Sequence, residues 1–187
     1  MHASILAKVA IAAGLTLILV GCLVSETAIL DVKTGKARPL KDGGYIACPA
    51  DSETGADDCQ KLTVQYMQDR SYHFLAEDEA PSILRFRRIG RRGYVVQSRE
   101  DDQEYAYYYG AGDASRMTLT MMICQELPQD LRRGLIDRGD LSVDGEDHDI
   151  CTVKSVRGLV DAAKAYHQGR VQSDEPISME LMRSETE

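Results

Sequence analysis

Chemistry in this 187-residue chain would have to come from a few places: histidines at 73, 148 and 167, five cysteines, one crowded set of arginines and one acidic loop. The loop "DLSVDGEDHDIC" (residues 140–151) puts Asp140, Ser142, Asp144 and Gly145 where an EF-hand places early ligands and its turn glycine. The pattern then breaks. Asp147 stands where an apolar residue should anchor the loop, and Cys151 where a bidentate glutamate should close it. An acidic hairpin turn about Asp144-Gly145 accounts for the same residues, so no metal site is expected. His73, His148 and His167 lie in three separate segments. No G-x-S-x-G, H-E-x-x-H or glycine-rich phosphate loop accompanies them. No catalytic residue is assigned, and no motif calls for a cofactor.

The arginines are harder to set aside. Arg85, Arg87, Arg88, Arg91, Arg92 and Arg99 crowd one predicted hairpin of an otherwise acidic chain. Alternation along a strand puts Arg85 and Arg87 on one side and Leu84 and Phe86 on the other. Two accounts compete. The arginines form a solvated edge that deters strand pairing and meets Glu100, Asp101, Asp102 and Glu104 across the next turn. Alternatively, Arg85, Arg87, Arg91 and Arg99 form an anion site for a phosphate- or carboxylate-rich envelope polymer, which arginine forks recognise. Strand register decides whether Arg99 faces the others, and the sequence does not fix it.

The N-terminus carries a different signal. Lys8 precedes the apolar run "VAIAAGLTLILV" (residues 9–20), which fits a signal-peptide core of roughly 7–15 residues and is shorter than the roughly 20 needed to cross a bilayer. The run ends in Leu19-Val20-Gly21-Cys22, which resembles the lipobox of bacterial lipoproteins. The resemblance covers residues 1–22 only. It implies cleavage before Cys22, a diacylglyceryl group on its thiol and acylation of the new N-terminus. Two or more chains give stable anchoring where one gives marginal binding. Leu23 follows where an aspartate would imply inner-membrane retention. The resemblance therefore implies a lipid-anchored envelope protein at the outer membrane, facing the periplasm.

Removal of residues 1–21 leaves 166 residues, enough for one domain, with 21 basic and 30 acidic side chains and a formal charge of −9. Such a chain is a poor candidate for nucleic-acid binding. With Cys22 lipidated, Cys48, Cys59, Cys124 and Cys151 remain, an even set suited to an oxidising compartment. Three pairings are open. Locality favours Cys48–Cys59, closing the turn-rich "PADSETGADD", and Cys124–Cys151, closing the segment between a strand and the last helix.

The elements that position these residues read as strands first and helices last. "KLTVQY", "SYHFLA", "SILRFRRI", "YVVQSR", "EYAYYYG" and "MTLTMMIC" alternate with period two and are joined by short turns. "TAILDV" and "GGYIAC" are two further candidate strands. Tyr105, Tyr107 and Tyr109 share one face of their strand, leaving Tyr108 to point outward. "LPQDLRRGLIDRG" reads as a helix with Leu127, Leu131 and Leu135 spaced by four. "TVKSVRGLVDAAKAYHQG" reads as a second, capped by Thr152, with Val153, Val156, Val160 and Ala163 as its apolar stripe and Gly169 as its stop. The polar tail is expected to be disordered.

The fold class expected is α+β: an antiparallel meander or small barrel with two C-terminal helices, stabilised by disulfides. Residues 1–21 are a lipoprotein signal peptide, 22–169 one domain and 170–187 a disordered tail. The function expected is that of a small binding or assembly module. It is held to the membrane through Cys22, with an anionic envelope polymer or a protein as partner. A hydrolase acting on cell-envelope material is the alternative.

Overall fold

The computed structural model describes residues 21–50, 59–77, 79–99, 104–144, 150–173 and 176–184. Residues 1–20 of the expected leader, together with Glu100, Asp101, Asp102 and His148, lie outside them.

Eight strands form a closed antiparallel barrel. They are β2 (Gly43–Pro49), β3 (Gln60–Tyr66), β4 (Tyr72–Ala76), β5 (Ser82–Gly90), β6 (Gly93–Arg99), β7 (Tyr105–Gly112), β8 (Arg116–Met121) and β11 (Ser178–Arg183). From β2 to β8 each strand pairs with the next in sequence, and β11 inserts between β8 and β2 to close the ring. Closure leaves no edge in the ring itself, which answers the pairing hazard of an open sheet. Three short strands extend outward from β7: β1 (Leu23–Ser25), β10 (Ile150–Val153) and β9 (Leu141–Asp144). The first half of β7 pairs with β1 and its second half with β8.

Period-two alternation separates two cores. Inward residues Tyr45, Val64, Tyr72, Phe86, Tyr94, Val96, Met117 and Leu181 fill the barrel. Outward residues Val95 and Tyr107 join a second core beneath helices α1 (Gln129–Asp137) and α2 (Val156–His167). Helix α2 buries Leu159, Ala162, Ala163 and Tyr166, and its alanines let it approach the sheet closely. Helix α1 contributes Leu135, with Leu127 just before it and Leu131 half-buried. Both expected bridges are present: Cys48–Cys59 ties β2 to the start of β3, and Cys124–Cys151 ties the chain after β8 to β10.

Four expectations need correction. The segment expected as a disordered tail supplies β11, pairing with β2 from Tyr45 to Pro49 and with β8 from Arg116 to Thr120. Its single deep anchor is Leu181, fully buried, which is why hydropathy alone missed it. The "TAILDV" segment forms no strand. Asp31 Oδ1 accepts from the backbone N–H groups of Lys33 and Thr34 and from the Thr34 hydroxyl, and this local turn competes with a ladder. Thr152 lies in β10, and Ser155 caps α2 by accepting from Gly158 N. Tyr108 points into the barrel, because the other face of β7 is the one the helices cover.

Candidate functional site

The barrel interior is filled unevenly along its axis. At one end, large rings pack together: Tyr66–Tyr72 tilted at 4.9 Å, and Tyr72–Phe86 at 5.3 Å and Phe86–Tyr94 at 6.4 Å edge to face between centroids. Burial pushes the Tyr72 hydroxyl well above its usual range. That hydroxyl donates to Leu40 O at 2.9 Å, and the Tyr45 hydroxyl bonds Lys41, so residues 40–41 plug this end. Leu40 is itself fully buried in the barrel core.

The other end is open. Two residues beyond Tyr45, and four beyond Tyr72, Phe86 and Tyr94 along the same inward rows, large rings give way to Ala47, Ala76, Ser82 and Ser98. A cavity of about 330 Å³ opens there, walled also by Leu62, Phe74, Leu84, Leu119 and Tyr108. At its rim Gln60 Nε2 donates to Glu79 Oε1 at 3.0 Å, and Met179 stands 37% exposed. The volume lies at the low end of small-ligand sites, and the walls are apolar with a few polar groups. An eight-stranded barrel is wide enough either to be packed solid or to hold one small molecule. Here the side-chain sizes decide for space at one end only.

Cys22 lies beside this open end. Its side chain is buried against Met121, Sγ to Sδ 3.1 Å, and Met121 is the cross-strand neighbour of Tyr108. Leu23 N donates to Met122 O, and the Leu23 side chain is fully buried. Nearby, the Tyr166 hydroxyl accepts from Ile123 N at 2.7 Å and donates to Glu126 Oε2 at 2.8 Å.

The predicted arginines do not converge on one point. Register puts Ile83 opposite Arg99, Arg85 opposite Gln97 and Arg87 opposite Val95, so Arg85, Arg87 and Arg99 share the outer face of the hairpin. Arg85 is committed: Nη2 lies 2.6 Å from Asp69 Oδ2 and Nη1 donates to Asp69 O. Arg87 Nη1 donates to Thr34 O at 3.0 Å. Arg91 is exposed in the β5–β6 turn at the plugged end, while Arg99 ends β6 at the open end. Arg99 lies eight residues beyond Arg91 along this hairpin arm, ~26 Å at about 3.3 Å per residue. Arg92 pairs with Asp113, and Arg88 lies over the Tyr94 ring at 5.3 Å.

The other candidates are structural. Asp140, which opens the EF-hand-like loop, is buried and accepts from Arg138, Arg157 and the Ser155 hydroxyl. These partners hold its carboxyl at about 2, below the usual aspartate value, with Arg157 and Ser155 the main causes. The turn at Gly145 lies outside the described residues, and β9 and β10 form an antiparallel hairpin on either side of it. His73 is half-buried on the outer face of β4, and His167 bonds Tyr109 Oη through Nδ1 at 2.9 Å. Among the described residues no three His, Cys, Asp or Glu side chains are grouped to hold a metal. No helix among them is long and apolar enough to cross a membrane.

Sequence reasoning missed the cavity. Its signal was present as a size gradient, with alanine and serine on four inward positions of one half-barrel, on strands that carry Tyr45, Tyr72, Phe86 and Tyr94 in the other half. The gradient becomes visible only once register aligns the strands. No protein-family model matches this chain, and no match is found among curated proteins or among solved structures.

Proposed function

We propose that the protein is a lipoprotein of the cell envelope, held at the outer membrane facing the periplasm by lipid on Cys22, and that it works as a small binding module whose ligand enters the open end of the barrel. One observation carries the binding part: the gradient from Tyr72, Phe86 and Tyr94 to Ala76, Ser82 and Ser98, which leaves about 330 Å³ open at one end. The anchor rests on the lipobox-like sequence. Lipidation would require the Cys22 sulfur to leave Met121, because a diacylglyceryl group has no room in that buried contact. Leu23 would then be the first fixed residue, giving a tether one residue long.

Hydrolysis of envelope material, the alternative, would need a base beside a nucleophile in this cavity. Ser82 and Ser98 line it, whereas His73 and His167 stand on outer faces of the barrel.

The anchor is tested by feeding cells a clickable fatty acid. Wild type should be labelled and cleaved; Cys22→Ala should stay unlabelled with its leader attached. Labelling that persists in Cys22→Ala would refute the lipoprotein reading. The binding part is tested by native mass spectrometry of protein released from membranes. A small molecule retained by wild type and lost from Ser98→Phe is expected, and identical spectra would refute it.

A further inference from the structure

We infer that the open end of the barrel takes the hydrocarbon chain of a single-chain amphiphile whose head group donates hydrogen bonds and carries no net negative charge, drawn from the membrane beside the anchor. This rests on the binding module proposed above and names its ligand class.

Three observations converge on it. The first is the shape of the space: it lies at one end of the barrel, the packed rings of Tyr72, Phe86 and Tyr94 lie further along the same inward rows, and its walls include Leu62, Leu84 and Leu119. At about 30 Å³ for each small non-hydrogen group, a water's share of liquid volume, the cavity admits on the order of ten such groups in a row. That suits part of one chain.

The second is location. Cys22 contacts Met121, Met121 pairs with Tyr108, and Tyr108 lines the cavity. Met121 N also donates to Ile177 O, and Ile177 and Met179 are two of the few large apolar side chains left exposed. They form an apolar sill between the anchor and the entrance. A chain moving from bilayer to barrel would cross this sill without passing through water.

The third is the chemistry at the entrance. Gln60 donates one Nε2 hydrogen to Glu79, which leaves this pair one Nε2 hydrogen as a donor beside two further groups, the second oxygen of the Glu79 carboxylate and the Gln60 carbonyl. Both are acceptors. An ammonium, amide or glycerol head can donate to them, whereas a carboxylate or phosphate head is repelled by Glu79. Lys61 and Arg99 also lie at this end, but alternation turns both to the outer face.

The experiment uses the full chain in phosphatidylcholine vesicles with three photoactivatable probes. Each has the same diazirine-bearing chain, and the heads are glycerol, a primary ammonium and carboxylate. Adducts are mapped by peptide mass spectrometry. Expected adducts fall on the peptides containing Phe74, Leu119 and Met179, with the carboxylate probe about tenfold weaker than the other two. Glu79→Gln should raise the carboxylate probe toward the others, and Leu119→Trp should abolish all three signals while preserving circular dichroism. Adducts confined to outer-face peptides, or unchanged in a folded Leu119→Trp or Ala76→Phe variant, would overturn the inference. Cys22→Ala separates the two readings. If it still forms cavity adducts with probe supplied in solution, the ligand site stands whatever the fate of the anchor. A wild type that carries lipid on Cys22 but forms no cavity adducts leaves the anchor standing and overturns the ligand site.

Discussion

Ser155 donates its hydroxyl to Asp140 at 2.6 Å while accepting from Gly158 N at 2.9 Å, so one side chain both caps α2 and ties it to the residue that ends the α1 turn. Gly158 is required beneath this contact, because a Cβ there would lie 2.7 Å from the Asp140 Cβ. Arg138 and Arg157 complete the shell, each donating to Asp140 from a different element. A buried carboxylate with these partners is stable only while it stays ionised.

The first prediction follows from that ionisation. The folded-state value of Asp140 is about 2, below the ordinary 3.8, so the unfolded chain takes up the proton first as pH falls. Its contribution is complete above about pH 4 and is lost between about pH 4 and 2. Asp140→Asn should therefore lower Tm most at pH 5–7, and the gap from wild type should narrow as pH falls toward 2. A gap independent of pH would mean that the carboxylate charge contributes nothing.

Both bridges should stabilise the domain, and by different amounts. Cys124–Cys151 spans 27 residues and Cys48–Cys59 spans 11. Restriction of the unfolded chain gives about 3.5 kcal/mol for the longer loop and about 2.8 kcal/mol for the shorter. Guanidinium unfolding of Cys124→Ala/Cys151→Ala and of Cys48→Ala/Cys59→Ala should show the larger loss in the first. Non-reducing peptide maps should recover these two pairs and no other.

Closing the barrel depends on the last strand. Leu181 is fully buried, and β11 is hydrogen-bonded on both sides. Leu181→Ala should cost about 2–5 kcal/mol. Ending the chain after residue 177 should expose the edges of β2 and β8 and drive aggregation, read by light scattering. A monomeric, folded truncation would show that β11 is dispensable.

Much of the barrel was legible because alternation is a local signal: six strands from "KLTVQY" to "MTLTMMIC" reappear with small shifts in their ends. The strand that closes the barrel was not, because "SMELMR" offers one strong inward anchor and its pairing partners lie more than fifty residues away on one side. Tyr108 was oriented wrongly for a related reason. Alternation identifies two faces of a strand, and only the placement of α2 over Tyr107 and Val95 shows which face is covered from outside. The arginines were legible as a cluster in sequence, but Asp69 and Thr34, which engage Arg85 and Arg87, come from other segments.

His167 supplies a coupled test of the same hairpin. Its ring lies against the backbone of Gly90 and Gly93, and a Cβ on Gly93 would come within 2.6 Å of Nδ1. Gly93→Ala should break the Tyr109–His167 hydrogen bond and cost about 1 kcal/mol or more. In the His167→Ala background the same substitution should cost less, since the ring it displaces is gone. Strict additivity in this double-mutant cycle would show that the glycine serves only the turn.

The final prediction separates the structural work of the arginines from anion binding. Arg85 lies 2.6 Å from Asp69 with little exposure of its own side chain, and Arg87 is bonded to Thr34 O. Hydrogen bonds from Ser71 and the charge of Arg85 hold the Asp69 carboxyl below the usual range, so this pair is ionised at neutral pH. With its Asp69 partner half-exposed, an ion pair of this kind contributes about 1 kcal/mol or less, and it weakens with salt. Arg85→Ala with Arg87→Ala should therefore lower stability by roughly 1–2 kcal/mol, counting the lost bond to Thr34 as a second small term. If the face is a solvated edge, the double variant should bind an anionic envelope polymer no less than wild type at low salt. If the arginines instead serve as an anion site, binding should fall in the double variant and in Arg91→Ala alike, and should fall with added salt. Stability and binding measured on wild type and these two variants decide between the two accounts.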